Sequence, residues 1–140
     1  MLLHLLFSML NVIVFSIPNF DGLVDGPLPV MHNLILSIFY LIIWFFYGLI
    51  MGNKRKISYL PFSLLFFLSI ILISFFTLSG GPTPLWKLTL MFWAPLNGLR
   101  YVVDVSGWKF AIMASVIPLL VTQLAYLLGM IQLGRLLGKR

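Results

Sequence analysis

The sequence predicts an all-α integral membrane protein, a bundle of four transmembrane helices with an additional amphipathic or re-entrant segment on the outer side. Three observations carry this. The 140 residues are 61% hydrophobic and only 9% charged, with a mean hydropathy of +1.10. A soluble fold of this size has too few polar groups here to cover so much apolar surface. The apolar residues also come in runs near the length of helix, about 20 residues, that crosses a hydrocarbon core of about 30 Å. Finally, proline, glycine and basic clusters separate the runs, as loop residues do.

The whole chain, 1–140, is read as one membrane domain. The first run covers about 1–17 and is closed by Pro18. A cleaved signal peptide competes for this stretch. The sequence has no basic leader and no small-x-small cleavage site before Asn19, so a retained helix is expected. Residues 19–32 hold Asn19, Asp21, Gly22, Asp25, Gly26, Pro27 and Pro29, and are expected to form a loop. The second run, about 33–51, ends at Gly52, Asn53 and the basic triplet Lys54, Arg55 and Lys56. The third, about 60–78, starts beside Pro61, which suits a first helical turn. Ser79 to Pro84 then breaks the chain. The last run, about 110–133, contains Pro118, which is expected to kink it.

Segment 85–109 is apolar enough to touch lipid, yet carries Lys87, Arg100, Asp104 and Lys109 and is interrupted by Pro95 and Gly98. Trp86, Trp93, Tyr101 and Trp108 suit a headgroup interface. On an α-helix, Asn97, Arg100 and Asp104 share one face, and Arg100 and Asp104 are spaced for an i,i+4 ion pair. Two geometries follow. One is an amphipathic helix on the membrane surface, polar stripe toward water. The other is a re-entrant lid over a polar cavity, where Arg100, Asp104, Asn97 and Lys87 form a ligand site and Arg100 holds a phosphate or carboxylate.

Orientation follows from the excess of Lys and Arg in cytoplasmic loops. With segment 85–109 not crossing, Lys54, Arg55, Lys56, Arg135, Lys139 and Arg140 form a cytoplasmic basic rim, six of the nine Lys and Arg. Tyr59 is expected beside this rim. Both termini then lie in the cytoplasm. A fifth crossing would place the basic tail outside and weaken the bias.

Two stripes point to helix packing. In the first run, His4, Ser8, Asn11, Phe15 and Pro18 fall on one face. An Asn11 amide in hydrocarbon needs a partner. His4 is close enough to the end of the run to reach interfacial water. In the last run, Ala111, Ser115, Pro118, Thr122, Ala125 and Gly129 make a small-residue seam, which lets helix backbones approach closely. Gln123 beside it needs a hydrogen-bond partner. Gly48 and Gly52 are a further small pair.

The inventory limits chemistry. There is no cysteine, and the acids are Asp21, Asp25 and Asp104 alone. That excludes thiolate nucleophiles and cysteine metal sites, and leaves little for acid–base work. No P-loop, HExxH, GxSxG or Rossmann glycine pattern is present. No cofactor and no metal site are expected. The net charge of +6 sits in clusters flanking apolar helices, which points to anionic lipid rather than nucleic acid. The expected partners are membrane lipid and another membrane protein or a second copy. Three roles compete: a non-catalytic accessory or assembly subunit of a larger membrane complex, a small oligomeric transporter or channel, and an enzyme acting on lipid-linked phosphate.

Overall fold

The computed structural model describes residues 2–24, 29–80, 83–103 and 107–137, with side chains at 2–19, 29–80, 85–103 and 108–131. The described chain is all-α. Its elements are α1 (Leu2–Val24), α2 (Met31–Asn53), α3 (Tyr59–Leu78), α4 (Thr83–Trp93), a 3-10 segment (Ala94–Tyr101) and α5 (Gly107–Leu137). Four of them, α1, α2, α3 and α5, are long and apolar enough to cross a membrane.

Side-chain pairings fix the directions. His4 pairs with Tyr47, Phe7 with Trp44 and Phe15 with Tyr40, so α1 and α2 are antiparallel. Tyr59 meets Thr122 at the start of α3, while Ser74 and Leu78 at its end border the same groove as Ala111 and Ser115, so α3 and α5 are antiparallel. Gly48 faces Thr122 and Gly52 faces Tyr126, so α2 and α5 run the same way. The starts of α1 and α3 and the ends of α2 and α5 therefore share one end of the bundle.

The tightest pairing is α2 on α5. A Cβ at Gly52 would collide with the Tyr126 backbone, and one at Gly48 with the Thr122 carbonyl. Where apolar burial drives nothing, in lipid, this close backbone approach is what holds two helices together. The core beneath is aromatic: Trp44 and Phe67, with Tyr40, Leu96 and Val12, are buried. Large apolar residues such as Phe39, Phe46, Leu65, Phe75, Leu120 and Leu124 point outward, as a lipid-facing surface requires.

Two sequence expectations need correction. Pro18 does not end α1, which runs on to Val24, and α2 begins at Met31. The 19–32 stretch is therefore mostly helical at its two ends, and residues 25–28 lie outside the described residues. Proline removes one helical hydrogen bond, but the turn after it is held by long-range amide contacts to Asn19 (below). Segment 85–109 is not one α-helix either. It is α-helical to Trp93 and 3-10 from Ala94, because Pro95 lacks the N–H that an α-helical bond at that position would use.

The α4 and 3-10 pair is inserted into the bundle. Thr89 and Thr77 hydroxyls are 2.8 Å apart, Trp93 Nε1 donates to Ser74 Oγ at 2.9 Å, and Phe92 packs against Phe66. On the other side, the Ser16 hydroxyl donates to Met91 O at 2.5 Å. Ser16, Ser74 and Phe66 all lie within candidate spans, so α4 descends between α1 and α3. The 3-10 segment then returns to the first two turns of α2, where Gly98 N donates to Ser37 Oγ at 3.1 Å.

Candidate functional site

The site expected around Arg100 and Asn97 is only partly assembled from the residues singled out. Arg100 Nη1 donates to Asn97 Oδ1 at 3.3 Å, and its guanidinium lies 5.8 Å from the Phe110 ring centroid. The 3-10 spacing of three residues per turn puts the two side chains on one face. Lys87 is exposed on α4, and Asp104 lies outside the described residues. Asn97 is fully buried. A stripe facing water is thus overturned for this residue: the segment dips into the bundle and Asn97 points inward.

Two residues read as turn formers and helix starts complete the site. Asn97 Nδ2 donates to the Asn19 carbonyl at 3.3 Å. Asn33 Nδ2 donates to Asn19 Oδ1 at 2.7 Å, and Asn33 Oδ1 accepts from Val30 N at 3.0 Å. Asn19 Nδ2 donates back to Phe15 O at 3.1 Å. Three amides therefore tie the end of α1, the start of α2 and the 3-10 segment together beneath Arg100. A carboxamide both donates and accepts, so it suits a junction of several helix ends. Gly98 makes the junction possible, since any Cβ there would collide with the Asn33 carbonyl. The partners lie 14 and 78 residues apart, which no local pattern reveals. The available signal was topological: Asn19, Asn33 and Asn97 all flank the same end of the bundle.

The opposite end holds a second polar cluster. His4 Nδ1 lies 2.6 Å from the Tyr47 hydroxyl. Tyr59 bonds Thr122, which also donates to Trp44 O at 3.3 Å, and the Tyr59 ring stacks on Tyr126. Gln123 Nε2 donates to Ser63 Oγ at 2.7 Å. Both His4 and Tyr59 are buried. This corrects the expectation that His4 reaches interfacial water and that Tyr59 joins a basic rim. Their rings close the bundle from inside, while Lys54, Arg55 and Lys56 next to them are exposed. The side chains of Arg135, Lys139 and Arg140 lie outside the described residues.

The α5 seam divides. Thr122, Ala125 and Gly129 face α2 around Gly48 and Gly52. Ala111 and Ser115 border a groove of about 410 Å³ between α3 and α5, whose rim includes the exposed Phe75, Trp108 and Ile112. A second groove, of about 470 Å³, lies among α1, α3 and α4 and includes Leu5, Phe62, Leu65, Ile73 and Phe92. Among the hydroxyls lining these grooves, Ser74, Ser79, Ser115 and Ser69 donate to carbonyls one turn back. Neither groove offers a cluster of convergent polar donors. No family model, curated protein or solved structure matches the chain.

Proposed function

We propose that this protein is a non-catalytic membrane subunit, an accessory or assembly component of a larger membrane complex. One observation carries the reading: several polar side chains inside the spans are used to join one helix to another, and the larger grooves left between helices are apolar and open sideways, toward lipid or a neighbouring protein. Trp93 with Ser74, Thr89 with Thr77, Tyr59 with Thr122 and Gln123 with Ser63 are all consumed in joining helices. A transport path or a reaction site needs polar groups aimed into a cavity. In the orientation that belongs to this reading, the exposed Lys54, Arg55 and Lys56 turn faces the cytoplasm with both termini, and the Asn19–Asn33–Asn97 junction faces outward.

The test is gentle extraction of the tagged protein from its native membrane, followed by mass spectrometry of what accompanies it. A larger membrane protein in stoichiometric amount is expected. Recovery of this chain with lipid alone, across several mild detergents, contradicts the reading.

A second reading has one observation in its favour. Arg100 uses one N–H on Asn97, and a guanidinium carries five donors in a planar fork suited to phosphate or carboxylate. Under it, Arg100 binds an anionic headgroup, and Arg100→Gln abolishes retention of anionic lipid through purification.

A further inference from the structure

At one end of the bundle α1 and α3 meet through the His4 ring, which packs against Tyr59 and Phe62. Toward the other end α4 comes between them, with Ser16 bonded to Met91 and Phe92 packed on Phe66. Below the tip of α4 the two helices leave the groove of about 470 Å³, whose lining includes Leu5, Ser58, Leu65, Ser69, Ile73 and Phe92. From Ser58 to Ile73 it follows α3 for about 22 Å, more than half of a hydrocarbon core of about 30 Å. The Ser69 hydroxyl within it is spent on the Leu65 carbonyl, so the wall is apolar.

The mouth at Ser58 has a different chemistry. Ser58 is exposed, and its side chain makes no bond to the helix it starts. Just before it, Arg55 N donates to Gly52 O at 2.9 Å and Lys56 N to Met51 O at 3.0 Å, the two bonds that close a helix end. Tyr59 N donates to Lys56 O at 2.9 Å. The exposed Lys54, Arg55 and Lys56 are thus carried on a hydrogen-bonded turn. Arg55 keeps its charge there at φ 48°, where glycine is the easier residue. The start of α1, the end of α2, the start of α3 and the end of α5 meet at this end, and none of them carries an acidic residue. The turn therefore has no anion of these elements to pair with.

We propose that this crevice binds one anionic phospholipid. An acyl chain lies along α3 from Ser58 to Phe92, and the headgroup phosphate is held by Lys56 and Ser58, with Lys54 and Arg55 adding to the positive field. The apolar wall selects a hydrocarbon chain, and the acid-free basic mouth selects a negative headgroup. The site rests on neither reading above. It is compatible with a larger partner, and it lies at the opposite end of the bundle from Arg100.

The test is titration of the full-length protein, in mild detergent, with phosphatidylglycerol and phosphatidylcholine of matched chains, counting bound lipid by native mass spectrometry. One phosphatidylglycerol is expected to bind at least about tenfold more tightly than phosphatidylcholine, since each basic residue near an anionic lipid contributes about fivefold. The Lys54→Gln/Arg55→Gln/Lys56→Gln variant is expected to weaken that binding about ten- to a hundredfold. Ser69→Phe fills the groove and leaves the charges alone, and is expected to weaken it at least about tenfold. Dihexanoyl phosphatidylglycerol, which keeps the headgroup and loses most of the chain, is expected to bind the unaltered protein at least about tenfold more weakly. Ile112→Phe, in the α3–α5 groove, and Arg100→Gln are expected to bind as the unaltered protein does. Equal binding of the two headgroups overturns the proposal. So does equal binding of the short-chain lipid or full binding by Ser69→Phe, either of which leaves only a charged surface that attracts headgroups. Loss of binding in Arg100→Gln overturns it too, by moving the lipid to the other end.

Discussion

Tyr59 shows how a polar side chain earns a place inside a lipid-embedded bundle. Most hydroxyls in the spans bond a carbonyl one turn back in their own helix, as Ser8, Ser69 and Ser115 do, and so add nothing between helices. Tyr59 instead reaches α5, bonding Thr122 in a buried contact. Such interhelical bonds contribute about 0.6 kcal/mol on average in membrane proteins and up to about 1.7 kcal/mol. Tyr59→Phe is therefore expected to cost about 0.6–1.7 kcal/mol of unfolding free energy in bicelles, and Ser69→Ala close to none. Equal losses would remove the distinction between the two kinds of bond. At this scale the sequence was partly legible. The need of Gln123 for a partner could be read from its apolar surroundings, but Ser63, 60 residues away, could not. The roles of Asn19 and Asn33 were hidden for the same reason, because side chains that define a loop or a helix start locally are used here across helices.

At the scale of elements, hydropathy and breakers located all four spans, since each must match the thickness of the hydrocarbon. The ends were less legible. Residues beyond Pro18 stay helical because the Asn97 and Asn33 amides hold Asn19 in place. Segment 85–109 was read with an α-helical period, whereas Pro95 switches it to 3-10 geometry just where it turns back. Its insertion depends on a close backbone crossing at Gly98, over Asn33. Gly98→Ala is expected to cost about 1–3 kcal/mol, the range for overpacking a tight site. Gly80 offers a comparison: it sits at φ 89° with open space around it. Gly80→Ala is expected to cost only the backbone penalty of a left-handed residue, about 1 kcal/mol. Thermal unfolding of the two variants checks the order. A greater loss at Gly80 would mean that the 3-10 segment is not held against α2.

The whole molecule is a four-span bundle joined to a segment that enters and leaves on one side. The end of α3, the α4–3-10 insertion and the start of α5 all gather at the end where Asn19, Asn33 and Asn97 meet. The exposed Lys54–Lys56 turn marks the opposite end. The alternative of a fifth crossing could not be dismissed from hydropathy, since α4 is apolar; what decides it is that Thr89 and Trp93 pair with the last turns of α3 while Gly98 returns to the first turns of α2. Because the chain lacks cysteine, the most direct measurement is labelling of single-cysteine variants in sealed vesicles with a membrane-impermeant maleimide. Lys87→Cys, Lys109→Cys and Arg55→Cys report three exposed positions. Positions 87 and 109 are expected to label from the same face and position 55 from the opposite one. Labelling of 87 and 109 from opposite faces would contradict it, because segment 85–109 would then cross the membrane and α5 would run the other way.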